Sequence, residues 1–188
     1  MDDDELLREL QKAVAGQRAW ANFFWWYDRS SRGKALAECG AVQDLFASLE
    51  AVGRAVYANP RPSNDQWPDC EATRSDGRLV AIEVSELVDA ATLAERNLPQ
   101  PWNAAQLTQV IQARITGKDR RSFHGGKYAE VILLLHTDEF FLVPEATIAL
   151  LRDASFKVPH GNIDHVFLLF SYWPELGRCP VAELTLLR

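Results

Sequence analysis

Apolar residues recur along this chain with two different spacings, and the places where one spacing gives way to the other outline the fold. Leu6, Leu7, Leu10, Val14 and Trp20 follow a rough 3.6-residue period and predict a helix over 4–22. After a loop at Arg29-Ser-Ser-Arg-Gly33, the stripe Leu36, Val42, Leu45, Phe46, Leu49 and Val52 predicts a second helix over 34–56. Asn59-Pro-Arg-Pro-Ser-Asn-Asp65 is turn-forming throughout and reads as a loop. Residues 69–74 and 78–85 read as a hairpin closed by Ser75-Asp76-Gly77, because an Asp-Gly pair suits a tight turn between strands. A helix is expected over 103–117, with Gly125-Gly126 breaking the chain behind it. The run 129–136 is apolar apart from Glu130, the signature of a strand buried on both faces. Pro144 opens a helix to Asp153, since proline suits the first helical turn. A second buried strand follows over 163–172, and a more exposed one over 181–187.

The order helix, helix, hairpin, helix, strand, helix, strand, strand predicts an α/β fold with a central mixed β-sheet flanked by helices. At 188 residues, 47% hydrophobic and 24% charged, the chain can bury a core of ordinary size as one domain. Within it, 1–33 is an aromatic-rich extension, 34–140 the core, and 141–188 a helix and strands completing the sheet. The extension contains Trp20-Ala-Asn-Phe-Phe-Trp-Trp-Tyr27, which serves either to pack the first helix or as a partner, homodimer or base-stacking surface.

No run of 18 apolar residues exists, so no membrane contact by a spanning helix is expected. Met-Asp-Asp-Asp-Glu lacks the basic-then-apolar start of a secretory leader. Cys39, Cys70 and Cys179 are far apart and odd in number, which makes neither a zinc pattern nor a disulfide framework. A reducing, cytoplasmic setting is the expectation. The net charge of −6 argues against binding nucleic acid over the whole surface, but not against a local basic patch.

Candidate chemistry concentrates in 67–88. Asp69 follows Pro68 at the start of one strand, and Glu83 lies inside the next. Strand side chains alternate, so Glu83 shares a face with Ala81 and Ser85, while Val80, Ile82 and Val84 point the other way. A glutamate inside an apolar strand is costly unless it is paired or bound to metal. Pairing with Arg74 or Arg78 is one solution. The other is a hard cation held by Asp69, Glu83 and the Val84 carbonyl. Magnesium or manganese accepts such oxygen ligands together with waters and phosphate. The helix over 103–117 adds a cation: if it persists to Lys118, that lysine lies on the stripe of Leu107, Ile111 and Ile115. It then either snorkels to solvent or reaches the acid pair. Arg114, Lys118, Arg120, Arg121 and Lys127 form the one dense basic stretch, suited to phosphate contacts or simply to a solvated helix end.

The pattern P-D, a turn, then I-E-V-S-E-L resembles the PD-(D/E)xK nuclease superfamily, whose core is a helix, three strands, a helix and a strand. The resemblance covers roughly 36–140. It is closest to bacterial members of unassigned activity that share G-R-x-V-x-I-E-V-S-E-L, here 77–87. Trp102, the helix segment with Ile115, Lys118 and Asp119, and Leu133-Leu-Leu-His-Thr-Asp-Glu139 complete the match. The resemblance implies a three-layer, restriction-endonuclease-like core and magnesium-dependent cleavage of nucleic acid, with DNA ahead of RNA. Asp69 corresponds to the motif aspartate, Glu83 to the second acid, and Glu38 to a glutamate on the preceding helix. The departure is Ser85, which stands where the family places its lysine. Lys118 is the first candidate for a migrated lysine and Lys127 the second. Without either, the chain is a catalytically inactive module that binds protein or nucleic acid.

Other residues carry less. His136 and Asp138 read as capping a strand end. His124, His160 and His165 show no zinc spacing, and Cys70 has no histidine near it in sequence to make it a nucleophile.

Overall fold

Two apolar strands with no polar face to show to water need cover on both sides. The computed structural model describes residues 31–65, 67–88, 101–121, 126–139 and 141–187, and it supplies that cover. The expected helix over 4–22 and the aromatic 20–27 lie outside the described residues, as does His124. The elements run α1 (Ser31–Ala51), β1 (Tyr57–Pro62), β2 (Cys70–Arg74), β3 (Leu79–Glu86), α2 (Ala104–Asp119), β4 (Glu130–Thr137), α3 (Pro144–Leu151), β5 (Ser155–Lys157), β6 (His165–Phe170), β7 (Val181–Glu183) and β8 (Thr185–Leu187). Six strands form one sheet in the order β1-β2-β3-β4-β6-β7. The β3–β4 and β4–β6 pairs are parallel and the others antiparallel, so the sheet is mixed and the fold is α/β.

Alternation along the strands divides the core in two. Val80, Ile82, Ile132, Leu134, Phe167 and Leu169 pack against Cys39, Val42, Leu45 and Leu49 of α1. Ala81, Leu133, Leu135, Val166 and Leu168 face the other way, onto Leu107, Ile111 and Ile115 of α2. The period-two reading of β3 is borne out: Glu83 lies on the α2 side.

Several boundaries differ from expectation for identifiable reasons. Helix α1 takes in Ser31, so the loop expected at 29–33 is helical from there on. It stops at Ala51, where Gly53 adopts φ +76 and the Gly53 and Arg54 N–H groups bond back to Glu50 and Leu49 carbonyls. Val52 therefore lies beyond the stripe and is exposed. The segment expected as a loop over 59–65 is in part an edge strand, β1. Its two prolines are tolerated because an edge needs no second set of hydrogen bonds. Asn59, at φ 55, sits where the register slips between Ala58 and Arg61. The single strand expected over 181–187 is two strands in different sheets, with buried Leu184 between them: β7 pairs with β6, and β8 pairs with β5.

Helix α2 runs from a capping box, in which Asn103 and Gln106 bond reciprocally, to Asp119. Its end is anchored rather than frayed. Asp119 is fully buried and accepts the backbone N–H of His160 at 2.6 Å and of Asn162 at 2.8 Å. The Asn162 side-chain amide donates to the Asp119 carbonyl at 2.6 Å. The acid counted above only as part of a motif match is thus the pin that holds the last turn of α2 to the loop before β6. Replacing it leaves two part-buried backbone donors without their carboxylate acceptor. Asp119→Ala is expected to cost about 3 kcal/mol, roughly 6–12 °C in Tm for a domain of this size. Thermal denaturation checks this, and an unchanged Tm would show that the pin is dispensable.

Candidate active site

The hairpin register brings the two acids together. Cys70 pairs with Ile82, so Asp69, one step earlier, comes level with Glu83 on the same face. The Val84 N–H donates to Asp69 Oδ2 at 2.9 Å, which continues the ladder through a side chain. The turn that sets this register has the expected form, with Gly77 at φ +84.

Glu83 is 1% exposed. Its Oε2 accepts from Lys118 Nζ at 2.6 Å and from Arg121 Nη1 at 2.6 Å. Lys118 Nζ also lies 3.7 Å from Asp69 Oδ2 and donates to the Val84 carbonyl at 3.3 Å. One ammonium thus gathers oxygens from Asp69, Glu83 and Val84, the three groups the sequence nominates as ligands. Glu83 Oε1, by contrast, is buried and has no hydrogen-bond partner. Burial is the main influence on this carboxyl and the Asp69 charge the next. Together they push Glu83 above the ordinary glutamate value of 4.5, against the pull of Lys118 and Arg121.

Helix α2 does persist past Lys118, so the lysine reaches the acids instead of snorkelling away. It sits at the flank of the buried stripe, two turns from Ile111, and emerges level with β3. The alternative partners Arg74 and Arg78 are engaged elsewhere: both bond Asp76, and Arg74 also bonds Glu130. Ser85 brings no charge beside Glu83, and Lys118, 35 positions beyond Glu83, supplies one. Lys127 does not reach the pair. It bonds Glu71 at 2.7 Å and Asp65 at 3.2 Å, and with Tyr128 it lowers Glu71 to about 2. Glu38 stands beside the pair, bonded to Lys34 at 3.3 Å; burial and then the charge of Asp69 raise its pKa. Among the described residues, no three His, Cys, Asp or Glu side chains converge as a ready metal cluster. The set present is two carboxylates and a carbonyl, which suits a hard cation that completes its shell with water.

No family model matches the chain, and neither a curated protein nor a solved structure matches it.

Two site residues escaped the reading of the sequence in the roles they have. Arg121 belongs to the same basic stretch as Arg114 and Arg120, yet it bonds Glu83. Its guanidinium also stacks on Trp67, 3.4 Å from the ring centroid. The available signals were its position three after Lys118, which is one helical turn, and the place of Trp67 two residues before Asp69. Arg114 is half-buried along α2, and Arg120 caps that helix in the open. Cys70 is fully buried on the α1 side. Its hydrogen bond with Cys39 and its burial push the thiol well above the usual range, the setting of a structural rather than a reactive cysteine. His136, His160 and His165 are dispersed. Burial lowers His136, His160 lends its backbone to Asp119, and His165 meets Glu183 at 2.8 Å.

The raised pKa of Glu83 has a stability consequence. The folded state holds that proton more tightly than the unfolded chain does. The associated stability is present in acid and is lost as pH rises from near 4.5 through the higher folded value. Glutamine cannot titrate. Wild type is therefore expected to lose stability relative to Glu83→Gln as pH rises from about 4 to about 7, measured by denaturant melts of both proteins. Parallel pH profiles would contradict this.

Proposed function

We propose that the protein is a metal-dependent nuclease with a variant PD-(D/E)xK site, in which Lys118 replaces the lysine missing at Ser85. The observation that carries this reading is the state of Glu83: a buried carboxylate with one oxygen bonded to two cations and the other left without a partner, beside a second carboxylate. The order α1, three strands, α2, β4 agrees with the core that the sequence resemblance implies. The three-layer, restriction-endonuclease-like core belongs to this proposal, as does its magnesium or manganese.

In this reading Asp69, Glu83 and the Val84 carbonyl would hold the divalent ion, which when bound would supply a water of lowered pKa and polarise the scissile phosphate. Asp69 is oriented by the Val84 N–H, so its free geometry is small before any ligand arrives. Lys118 is fixed by Glu83 and by the pinned end of α2, and it faces the point where charge grows on the phosphoryl oxygens. Preorganised donors of this kind stabilise a transition state because they need not reorient. Glu38 lies close enough to orient water. Arg114 and Arg120 are the phosphate-backbone contacts, in a chain whose overall charge gives no general attraction to nucleic acid.

Lys118 has a second consequence. It occupies the oxygens a metal ion would use, so the lysine and the ion compete for them. Lys118→Met is therefore expected to bind manganese more tightly in calorimetry. It should also cut cleavage of plasmid or single-stranded DNA about 100-fold or more. Asp69→Ala should abolish both. Equal background cleavage in wild type and Asp69→Ala would sink the nuclease reading.

A specific observation favours a second reading, a non-catalytic nuclease-fold module. Asp69 and Glu83 are matched by Lys118 and Arg121, so the site is close to neutral as it stands. An internal ion-pair cluster needs no metal. No heat with manganese at about millimolar concentration would favour this reading; binding lost in Glu83→Ala would count against it.

A further inference from the structure

We propose that Trp67 is a stacking seat for an unpaired nucleobase, which makes the substrate class of the site single-stranded nucleic acid. This deepens the nuclease reading and rests on it.

Trp67 is 41% exposed although it stands two residues from a buried carboxylate pair. One face of its ring is covered by Arg121, whose guanidinium carbon lies 3.4 Å from the ring centroid. The same guanidinium reaches Glu83 through Nη1 at 2.6 Å. A planar cation can stack through its face and hydrogen-bond through its edge at once, which an ammonium cannot do. Arg121 therefore ties the plane of an exposed indole to the acid pair through a single side chain. A strand that reaches the acid pair and its cations Lys118 and Arg121 meets an aromatic surface fixed close by.

Charge selects the ligand. Duplex binding draws mainly on an extended cationic surface that neutralises phosphates. Here the net charge is −6, and two of the basic residues near the site are already held by carboxylates: Arg121 by Glu83, and Lys127 by Glu71. The phosphate contacts of Arg114 and Arg120 then gain from an added contact that does not depend on charge. Stacking on an aromatic ring is such a contact, and it accepts any base. A base inside a duplex has both faces occupied; only an unpaired one can use the seat.

The test is fluorescence anisotropy with a labelled oligonucleotide of about 12 nucleotides, single-stranded and as a duplex, in chelator so that no cleavage intervenes. Wild type is expected to bind the single strand more tightly. Trp67→Leu, which keeps apolar bulk without a ring, and Trp67→Ala should each weaken single-strand binding roughly tenfold. Trp67→Phe should stay within about threefold of wild type, and duplex binding should not change. Trp173→Leu, at the other tryptophan exposed among the described residues, should behave as wild type. Because Trp67 is exposed, these variants are expected to keep the wild-type Tm. The proposal is overturned if Trp67→Leu binds the single strand as wild type does, if duplex binding falls equally, or if wild type binds neither. The Trp67 pattern without metal-dependent cleavage would leave the seat standing and remove the nuclease reading. Cleavage that is indifferent to Trp67 would do the reverse.

Discussion

The Glu83 carboxylate is the constraint around which the site is built. It lies inside β3, where burial disfavours its charge, so it needs cations brought to it. The chain meets that need from one element, the end of α2, which delivers Lys118 and Arg121 to the same oxygen. Desolvated ion pairs of this kind are a weak source of stability, since the loss of hydration offsets most of the attraction. They do require their partners to be in place. The packing of α2 on the sheet is therefore coupled to the electrostatics of the strand beneath it. Asp119 sits at the junction. Its bonds to His160 and Asn162 hold the last turn of the helix, and the position of both cations depends on that turn.

Three kinds of interaction thus converge within a short distance. Apolar packing by Leu107, Ile111 and Ile115 sets where α2 lies. A buried carboxylate fixes where it ends. The ion pairs with Glu83 fix where its basic residues point. Glu71, Lys127 and Tyr128 form a separate network on the neighbouring strand, with its own closed set of partners. That separation is why only one of the two candidate lysines belongs to the site. The unpartnered, buried Oε1 of Glu83 is an unfavourable placement, of the kind at which natural proteins give up some stability.

Much of this arrangement was legible along the chain. The hairpin followed from Ser75-Asp76-Gly77, and the shared face of Asp69 and Glu83 followed from period two. The buried strands followed from their uninterrupted apolar runs, and the lysine from its place on a helical stripe. What was not legible has physical causes too. Two prolines hid β1, because the sequence does not say which strand is an edge. The break at Leu184 was hidden because both halves of that segment have strand character and differ only in which sheet receives them.

Local periodicity and turn chemistry were enough to define the three helices α1 to α3, the hairpin β2–β3, the buried strands β4 and β6, the faces of those strands and the identity of the acid pair, but not β1, β5 or the division between β7 and β8. Only the tertiary structure decided which cations meet the pair and which do not. Arg74, Arg78, Lys118, Arg121 and Lys127 are equivalent as charges in a string. Arg74 and Arg78 are held at the hairpin turn by Asp76 and Lys127 by Glu71, whereas Lys118 and Arg121 are brought to the pair by the packing of α2 on the sheet and by the pin at Asp119, contacts between residues 35 to 43 positions apart. The stacking of Arg121 on Trp67 arises in the same way, from a helix end packed over a hairpin.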